Sequence, residues 1–474
     1  MTHISQLKKL LLIGLTLALL SQVAAEKQRP NIVMILADDL GYADVGFHGS
    51  DIQTPHLDTL AAEGVELNQY YVAPVCSPTR AGLMTGRYPI RFGMMRAVIP
   101  PYRNYGLDPS EDTLAEMLKR AGYKYRAVIG KWHLGHNQGQ WRPESQGFTD
   151  FVGCLNGAFD YFTHERDGEL DFHKDGKPFR TEGYVTDILS DEAVSFIRSV
   201  PKDEPYLLYL PYTAPHSPFQ AKEEDIAKYP HREGKQRIYA AMVDSMDQGI
   251  GRVLQAIKER GDEENTLILF SSDNGGVEGI ADNGDQRGNK FDPYNGGIRV
   301  VALMKWPKAG ILGGSKFDGR IGYIDVMPTI KEAINFEEEP VNSFDGISFF
   351  GAIKNSDSLP DRKWFTYLDQ HPNAVERLGV SSDHFKLVVH QPAPDGDKSI
   401  EPIIELFRID SDITEEHDLS AEKPNLRNAF LSDIDDFLSL RKPYQVDRYF
   451  VKDGNFVVPE DWSLSASQPI RNDP

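Results

Sequence analysis

The amino-acid sequence predicts an α/β fold, with a large, mostly parallel sheet flanked by helices and a smaller C-terminal α+β subdomain. From Asn31 to about Lys305, continuous apolar runs of strand length alternate with amphipathic helical segments. This alternation is typical of parallel strands that helices cover on both faces. After about Pro360 the apolar runs are short and are bounded by turns, which indicates antiparallel strands. We therefore expect two units, residues 26–360 and 361–474.

The first unit has four strand-like runs that are apolar enough to be buried. They are Ile32–Ala37, Tyr125–Gly130, Tyr206–Tyr212 and Thr266–Phe270. Apolar residues at helical spacing predict helices near 54–64, 112–122, 186–198 and 236–260. The first of these helices has Thr54 as a polar cap, Pro55 at its first position and Gly64 after its end. Strand and helix thus alternate in the order that a parallel sheet requires.

The second unit is expected to form a four-stranded type of antiparallel sheet with one helix packed on it. Strand-like runs occur at 364–368, 385–390 and 403–409. A helix is predicted near 425–440, where Phe430, Ile434 and Phe437 fall on one face. From Arg441 the sequence looks irregular, and we expect this tail to lie over the body of the protein.

The first 25 residues differ from the rest of the chain. Lys8 and Lys9 precede an apolar run from Leu10 to Leu20, and small residues follow up to Ala25. This is the pattern of a cleaved, bacterial-type export signal, and a run of about 11 residues is too short to span a bilayer. We expect residues 1–25 to be a signal peptide and the mature protein to be periplasmic or secreted, without a membrane span.

The net charge of the mature chain indicates which classes of binding partner are disfavoured. Without the two signal lysines, the chain has 49 basic and 71 acidic residues, a net charge of −22. Such a surface repels nucleic acid and anionic lipid at long range, so we expect no nucleic-acid partner. An anionic substrate would have to be attracted by a local cationic cluster or by a metal ion.

Polar groups follow each of the four buried runs at the point where the strand ends. They are Asp38 and Asp39, Lys131 and His133, His216, and Asp273 and Asn274. In an open α/β sheet, ligands bind beyond the carboxyl ends of the strands. One such residue alone is often a helix cap or a hydrogen-bonded core histidine. Polar groups at four converging strand ends predict a functional site.

Four of these residues, Asp38, Asp39, Asp273 and Asn274, offer oxygen ligands. Such a set suits a hard cation such as Ca²⁺ or Mg²⁺ better than zinc. Three carboxylates crowded together would also repel one another in the absence of a cation. The alternative is that Asp39 and Asn274 cap separate loops.

Cys76 is one of only two cysteines in 474 residues, and the other is Cys154. An exported protein permits a disulfide between them, but the surroundings of Cys154 favour a buried apolar role. Cys76 lies ahead of a predicted short helix in which Ser77 is the cap and Pro78 the first residue. A helix N-terminus favours anions, and Arg80 in the first turn can reach the same place. Taken alone, this pattern also fits a low-pKa cysteine nucleophile paired with a histidine.

The stretch CSPTRAGLMTGR, residues 76–87, resembles the signature of the formylglycine-dependent, or type I, sulfatases of the alkaline-phosphatase-like superfamily. That signature has Cys, any residue, Pro, usually a small residue and Arg, followed by Gly-Arg. Further motifs occur in the family's order across nearly the whole mature chain: RPNIVMILADDLGYADVG, GYKYRAVIGKWHLG, PHSPF, SSDNGG, RGNKFDPYNGGIRV and ELFRIDSDITEEHDLS. Two more, GRYPIRFGM and DYFTHERDGELDF, look most like the arylsulfatase B or N-acetylgalactosamine-4-sulfatase branch, which includes bacterial enzymes acting on sulfated polysaccharides.

The resemblance implies that residues 26–360 are a catalytic domain that hydrolyses a sulfate ester. Cys76 would be oxidised to formylglycine by a formylglycine-generating or anaerobic sulfatase-maturating enzyme, and the hydrated aldehyde would attack sulfur. By the family pattern, one Ca²⁺ per chain is held by residue 76 and the four strand-end oxygen ligands. Arg80 and His133 would orient and activate the hydrated aldehyde. The sulfate would be held, or the leaving oxygen protonated, by Lys131, Lys290 and His216.

The implied substrate is a sulfated oligo- or polysaccharide. A galactose-configured 4-sulfate, as in carrageenan or a glycosaminoglycan, is the expected target. Arg96, His164 and Arg166 lie in segments that would rim the pocket, so they are candidate substrate-binding residues. Each is equally compatible with an ordinary solvated charge.

Two departures from the family pattern are visible. Thr79 stands where many relatives have Ser or Ala, and Asn295 stands where many have Glu before Gly-Gly. The second leaves the role of that acid in doubt but not the role of Lys290. Two other functions stay open: a phosphonate or phosphate monoester hydrolase on the same fold, and a non-catalytic binder of sulfated glycans whose Cys76 is never matured.

Overall fold

The computed structural model describes residues 29–369, 374–442 and 456–463. The predicted signal peptide, residues 1–25, and most of the predicted irregular tail lie outside the described residues. Within the described ranges, no helix is both long enough and apolar enough to cross a bilayer.

The strands of the described residues are numbered in chain order. They are β1 (Asn31–Ala37), β2 (Val65–Leu67), β3 (Tyr70–Tyr71), β4 (Tyr125–Ile129), β5 (Asp150–Gly153), β6 (Glu165–Arg166), β7 (Glu169–Leu170), β8 (His173–Lys174), β9 (Lys177–Pro178), β10 (Tyr206–Pro211), β11 (Thr266–Ser272), β12 (Ala302–Lys305), β13 (Ser315–Phe317), β14 (Ile321–Gly322), β15 (Trp364–Leu368), β16 (Val375–Ser381), β17 (Lys386–Pro392) and β18 (Ile403–Phe407).

The α-helices are numbered in the same way. They are α1 (Pro55–Glu63), α2 (Cys76–Thr85), α3 (Leu114–Arg120), α4 (Val185–Ser199), α5 (Glu223–Ile226), α6 (Gly234–Arg260), α7 (Asn295–Ile298), α8 (Val326–Ala333), α9 (Phe350–Asn355) and α10 (Pro424–Ser439). Helices are therefore found in each of the segments where the apolar spacing predicts one.

The large sheet has ten strands in the order β13-β2-β12-β11-β1-β10-β4-β5-β8-β9. Its centre, from β11 through β1, β10 and β4 to β5, is parallel. Towards one edge, β12 runs antiparallel to both β11 and β2. The four strands predicted from apolar runs are therefore neighbours, and their carboxyl ends lie along one edge of the sheet. The predicted fold class is confirmed.

An apolar core lies on each face of this sheet. Along β1, Ile32, Met34 and Leu36 belong to one core, and the alternate residues belong to the other. Helices α2, α3 and α8 contribute to the first core, and α1, α4 and α6 contribute to the second. All seven residues of β1 are buried for this reason, which explains why the strand reads as a continuous apolar run.

The C-terminal sheet is antiparallel, and its four strands pair in chain order from β15 to β18. Helix α10 packs on it through Phe430, Ile434 and Phe437, and the Phe437 ring stacks on Phe365 with centroids 4.6 Å apart. Leu378 of β16 belongs to the same apolar core as α2 and α8. The core is thus continuous across residue 360, and the boundary between the two units stays a prediction.

A short piece of the tail, residues 456–463, packs on the first unit. Trp462 is buried, and its indole N–H donates to the carbonyl of Arg166 at 3.0 Å. In return, the Arg142 guanidinium donates to the Trp462 carbonyl at 2.6 Å. This piece therefore links strand β6 to the segment around Arg142.

Candidate active site at the strand ends

The carboxyl ends of four neighbouring strands bring the predicted polar residues together. Asp38 and Asp39 follow β1, Asp273 follows β11, and these two strands are hydrogen-bonded neighbours. The backbone N–H of Asp39 donates to Asp273 Oδ1 at 3.3 Å across the gap between the two strand ends. Helix α2 places Arg80 above the same edge. The site therefore follows directly from the strand order of the sheet.

Each carboxylate of the site has a close cation, and Arg80 lies near two of them because its Nη2 is also 3.5 Å from Asp38 Oδ2. The pairs are Arg80 with Asp273, Lys131 with Asp38, and Lys290 with Asp39. Arg80 donates to Asp273 Oδ2 through Nε at 3.0 Å and Nη2 at 2.8 Å, and its Nη1 donates to the Lys131 carbonyl at 2.7 Å. Lys290 Nζ lies 2.6 Å from Asp39 Oδ1. Because these groups are buried, the pairs are little screened by solvent.

The pKa values of two carboxyl groups of the cluster, Asp39 and Asp273, are shifted in opposite directions. Burial works to raise the pKa of Asp39, but the Lys290 charge and the hydrogen bonds from Lys290 and Asn274 hold it well below its ordinary value. Burial and the neighbouring Asp38 charge raise the pKa of Asp273 above its ordinary value. A divalent cation beside Asp273 would oppose this rise, because it favours the ionised carboxylate.

Two buried oxygen atoms of the cluster lack a partner. Asp38 Oδ1 and Asn274 Oδ1 have no hydrogen-bond partner among the described residues, and both side chains are fully buried. The Asn274 amide instead donates to Asp39 Oδ1 at 2.7 Å. Leaving a buried acceptor unsatisfied is costly, so such atoms call for an explanation. A hard divalent cation would satisfy both, and the oxygen-rich donor set fits one.

Donor atoms of the right kind also lie close enough together for one ion. One atom from each of Asp38, Cys76 and Asp273 lies within 4.8 Å of the others. The same holds for Asp38, Asp39 and His216. The predicted metal ligands are therefore brought together, with Asn274 hydrogen-bonded to one of them.

His133 faces Cys76 in a defined protonation state. Its Nε2 lies 3.0 Å from the Ile99 carbonyl, so Nε2 carries the proton and Nδ1 is left as an acceptor. That Nδ1 lies 3.3 Å from Cys76 Sγ. Burial, together with Lys131 and Arg80 nearby, holds the pKa of His133 well below its ordinary value, so the ring is neutral. A Cβ at Gly157 would lie 2.4 Å from this ring, so only glycine permits the approach.

Cys76 is buried at the start of α2 and has no disulfide, and Cys154 is likewise free and buried. Burial raises the pKa of the Cys76 thiol, so the environment does not favour a thiolate. The predictions that Ser77 caps this helix and that Pro78 is its first residue are wrong, because the helix already begins at Cys76. Val75 is the cap residue, and the Ser77 hydroxyl donates to the His133 carbonyl at 2.9 Å. The helix ends at Gly86 as expected, with a positive φ of 68°.

His216 lies on the other side of the cluster, beyond β10. Its Nδ1 lies 2.6 Å from the Ser217 carbonyl, which leaves Nε2 as an acceptor 3.6 Å from Asp39 Oδ2. Burial and the Lys290 charge lower the pKa of His216 to about 3. The Tyr161 hydroxyl lies 2.8 Å from the His216 carbonyl and fixes this loop.

The backbone of the site is strained at two of these residues. Asp39 has a φ of 69° and His133 a φ of 55°, both in the left-handed region that favours glycine. Such outliers cluster at functional sites, where the surrounding contacts enforce them. Each lies just beyond the carboxyl end of a strand of the sheet.

The three candidate substrate-binding residues each have protein partners. Arg96 forms ion pairs with Asp369 at 3.0 Å and Asp395 at 2.8 Å. His164 is buried, with Nε2 3.1 Å from the Gly183 carbonyl, and its ring packs beside Phe159 and Phe172. Arg166 is partly exposed, with Nη1 donating to the Ala158 carbonyl at 3.1 Å. Contacts of these three with Asp38, Asp39 or Asp273 do not occur among the described interactions.

Sequence patterns do not indicate several groups that support the site. Ile99 acts only through its backbone carbonyl, so no side-chain pattern could reveal it. Ser272 accepts from the Leu40 N–H at 3.1 Å and donates to the Asn274 carbonyl at 2.8 Å. Its position before Asp273 is the one signal in the sequence that could have drawn attention to it.

The family model described as Sulfatase matches residues 30–336. The chain belongs to the sulfatase family. It is therefore a type I sulfatase of the alkaline-phosphatase-like superfamily, and an enzyme that hydrolyses sulfate esters. Sulfatases of this family use formylglycine and a divalent metal ion, and the acidic cluster is a candidate metal site.

Individual relatives agree with the family assignment. Arylsulfatase J of Mus musculus is 37% identical over 293 residues, which is 60% of this chain and 49% of that protein. This sulfatase thus spans about half the length of that relative. N-acetylgalactosamine-6-sulfatase of Homo sapiens is 31% identical over 385 residues, 76% of this chain and 72% of that protein. A solved structure also matches, the crystal structure of Ps i-CgsB in complex with k-i-k-neocarrahexaose. The two chains share 31% sequence identity and superpose with a TM-score of 0.81, over 89% of this chain and 96% of that one.

Proposed function

We propose that this sulfatase removes O-sulfate from a sulfated carbohydrate, preferentially a galactose-configured 4-sulfate in a polysaccharide such as carrageenan or a glycosaminoglycan. The observation that carries the proposal is the likeness to a structure that holds a carrageenan oligosaccharide, at 31% identity over 89% of this chain. The motifs GRYPIRFGM and DYFTHERDGELDF support the same branch. The proposed location is outside the cytoplasm, because the N-terminal sequence has the pattern of an export signal.

We further propose that Cys76 is the precursor of formylglycine, made by a formylglycine-generating or anaerobic sulfatase-maturating enzyme. Two observations support this. Burial raises the pKa of the Cys76 thiol, so an unmodified thiolate nucleophile is disfavoured. The Sγ atom, which marks the place of the aldehyde oxygen atoms after oxidation, lies 3.3 Å from His133 Nδ1.

The residues that would hold one Ca²⁺ are Asp38, Asp39, Asp273 and Asn274, together with residue 76. The orphaned oxygens of Asp38 and Asn274 support this assignment. When present, formylglycine supplies a hydrated aldehyde as nucleophile, and a divalent cation supplies positive charge for the sulfuryl oxygens. Ca²⁺ is the ion that the resemblance to the sulfatase family implies, and carboxylate and amide oxygens are suitable ligands for such a hard cation.

The chain's own residues orient and neutralise the reactants. His133 is neutral, and its Nδ1 is the acceptor nearest to residue 76, so it is placed to take a proton there. Arg80 fixes Asp273 through two hydrogen bonds to one oxygen. Lys131 and Lys290 bring positive charge to the site for an anionic substrate, and Asp39 stabilises the charged form of Lys290 although burial opposes it. The His216 Nε2 faces the same space and is the remaining candidate for contact with the leaving oxygen.

The proposal is tested by assaying a panel of defined sulfated oligosaccharides beside an aryl sulfate, a phosphate monoester and a phosphonate diester. We expect sulfate release to be fastest from a galactose-configured 4-sulfate. Turnover of the phosphate or phosphonate esters above that of every sulfate ester would favour the other hydrolase on this fold and contradict the proposal.

The Cys76→Ser variant tests the role of residue 76. We expect it to abolish turnover and to keep the affinity for the oligosaccharide, because serine retains the size of the side chain but gives no aldehyde when a cysteine-specific enzyme is the maturing partner. A measurable kcat in this variant, produced beside a cysteine-specific maturing enzyme, would count against the proposed nucleophile.

A further inference from the structure

Phe291 places an exposed aromatic ring beside the buried cations of the site. Phe291 follows Lys290, whose Nζ lies 5.5 Å from the centre of the Phe291 ring and 2.6 Å from Asp39 Oδ1. Phe291 is 37% exposed, whereas Lys290 is only 9% exposed. The ring therefore lies beside a buried cation of the site, and more than a third of the residue is open to solvent.

The backbone of Phe291 is held in a conformation that a bulky residue rarely adopts. Its φ is 78°, in the left-handed region. Its N–H donates to the carbonyl of Pro74 at 2.9 Å, two residues before Cys76. Its carbonyl accepts from Arg377 Nη1 at 2.9 Å, and the same nitrogen donates to Asp292 at 2.7 Å. Both main-chain groups of Phe291 are thus fixed, one by the strand-to-helix loop of the nucleophile and one by the C-terminal sheet.

Neither the exposure nor the conformation of Phe291 contributes to the stability of the folded protein. A left-handed non-glycine residue costs on the order of 1–3 kcal/mol, and glycine or asparagine would adopt this φ more easily. A phenyl ring left partly in water also forgoes part of the gain from burial. Strain of this kind persists where contacts enforce it and is concentrated at binding and catalytic sites. The contacts from Pro74 and Arg377 are what enforce it here.

We propose that Phe291 is the platform on which the sulfate-bearing sugar ring rests. This proposal depends on the proposed carbohydrate substrate. The phenyl face packs against the C–H face of the sugar while the sulfate reaches toward Lys290, so one segment of two residues binds both the apolar and the anionic part. Arg377 is a positioning residue, because it acts through the carbonyl of Phe291.

The test compares Phe291→Ala, Phe291→Trp and a control variant, Leu312→Ala. Leu312 is 47% exposed and follows β12. Because β12 runs antiparallel to β11, the chain leaves β12 at the amino ends of the parallel strands, opposite the carboxyl ends that carry the site. The substrates are a 4-sulfated galactose-configured oligosaccharide and a short alkyl sulfate without a ring. For Phe291→Ala, we expect KM for the oligosaccharide to rise roughly tenfold with kcat nearly unchanged. Turnover of the alkyl sulfate should stay within about twofold, Phe291→Trp should restore the low KM, and Leu312→Ala should match the wild type.

Three results would overturn the proposal. An unchanged KM for the oligosaccharide in Phe291→Ala would show that the ring does not support the sugar. An equal loss of kcat with both substrates would show that Phe291 only supports Lys290. A high KM in both the alanine and tryptophan variants would assign the effect to the backbone rather than to an aromatic face. Failure of the wild type to release sulfate from any oligosaccharide while it cleaves the alkyl sulfate would refute the proposed carbohydrate function itself.

Discussion

Breaking the buried ion pair between Lys386 and Glu415 is expected to destabilise the protein far more than removing the whole pair. Lys386 Nζ lies 2.7 Å from Glu415 Oε1, and both side chains are almost fully buried. Lys386 also donates to Asn295 Oδ1 at 3.1 Å, and Glu415 Oε2 accepts from the Asn295 N–H at 2.7 Å. The pair therefore joins the C-terminal subdomain to the segment that follows Lys290.

The magnitude follows from the burial of both charges. Glu415→Gln leaves the Lys386 ammonium buried without a countercharge, and Lys386→Met leaves the carboxylate in the same condition. Removing one partner of such a pair costs about 3–5 kcal/mol. Replacing both charges by groups of similar size often costs little, so the double variant is expected within about 1 kcal/mol of the wild type. The coupling energy from the double-mutant cycle should thus be large.

The assay is urea unfolding of the wild type, both single variants and the double variant, followed by fluorescence and by circular dichroism. Coincidence of the two probes decides whether a free energy of unfolding can be assigned to a chain of this size. Lys363→Met is the control, because its pair with Asp433 at 2.8 Å is about one-third exposed and should be worth about 1 kcal/mol or less. Single variants that lose less than about 1 kcal/mol, or a double variant that loses the sum of both, would refute this reasoning.

Two further predictions concern the metal ion and pH. A chelator should abolish sulfate release, and added Ca²⁺ should restore it. Asp38→Ala should raise the Ca²⁺ concentration for half-maximal activity at least about tenfold. Full sulfate release in the presence of the chelator would contradict the assigned metal ligands. Burial lowers the pKa of both His136 and His173 to about 4, from an ordinary 6.5. As pH falls from 6.5 to 4, each of these histidines should cost the folded state up to about 3 kcal/mol, because the unfolded state binds the proton first. Buried carboxyls such as Asp247, whose pKa is raised to about 7, act in the opposite direction, so the prediction concerns the histidines and not the net stability. Between pH 7 and pH 4.5 the urea midpoint of His173→Asn should fall less than that of the wild type, and an equal change in both proteins would contradict the assigned pKa of His173.

Much of the fold could be predicted because buried parallel strands leave a strong trace in sequence. Strand β1 is buried on both faces, so every residue of it is apolar or small enough to pack, apart from Asn31 at its start. Strand β16 is different, because Glu376 and Arg377 stand next to each other within it and no continuous apolar run marks the strand. The strand order could not be predicted from the apolar runs alone.

The candidate site was predictable to the extent that local sequence positions its residues. Asp38, Lys131, His216 and Asp273 each follow a strand, and neighbouring parallel strands necessarily bring such residues to one edge. Contacts across long stretches of chain leave no such trace. Glu415 reaches Asn295 from 120 positions away, and Ile99 reaches His133 through its backbone alone. The positive φ of Phe291 could not be predicted either, because phenylalanine rarely adopts this conformation.

The most direct test of the account is to measure the chemical state of residue 76 and the activity in the same samples. The protein would be produced with and without a sulfatase-maturating enzyme, the peptide containing residue 76 analysed by mass spectrometry, and sulfate release measured from a 4-sulfated oligosaccharide. We predict that activity rises in proportion to the fraction of Cys76 converted to the aldehyde and vanishes in the unconverted protein. Full activity with an unmodified thiol at residue 76, or no activity with complete conversion, would contradict it.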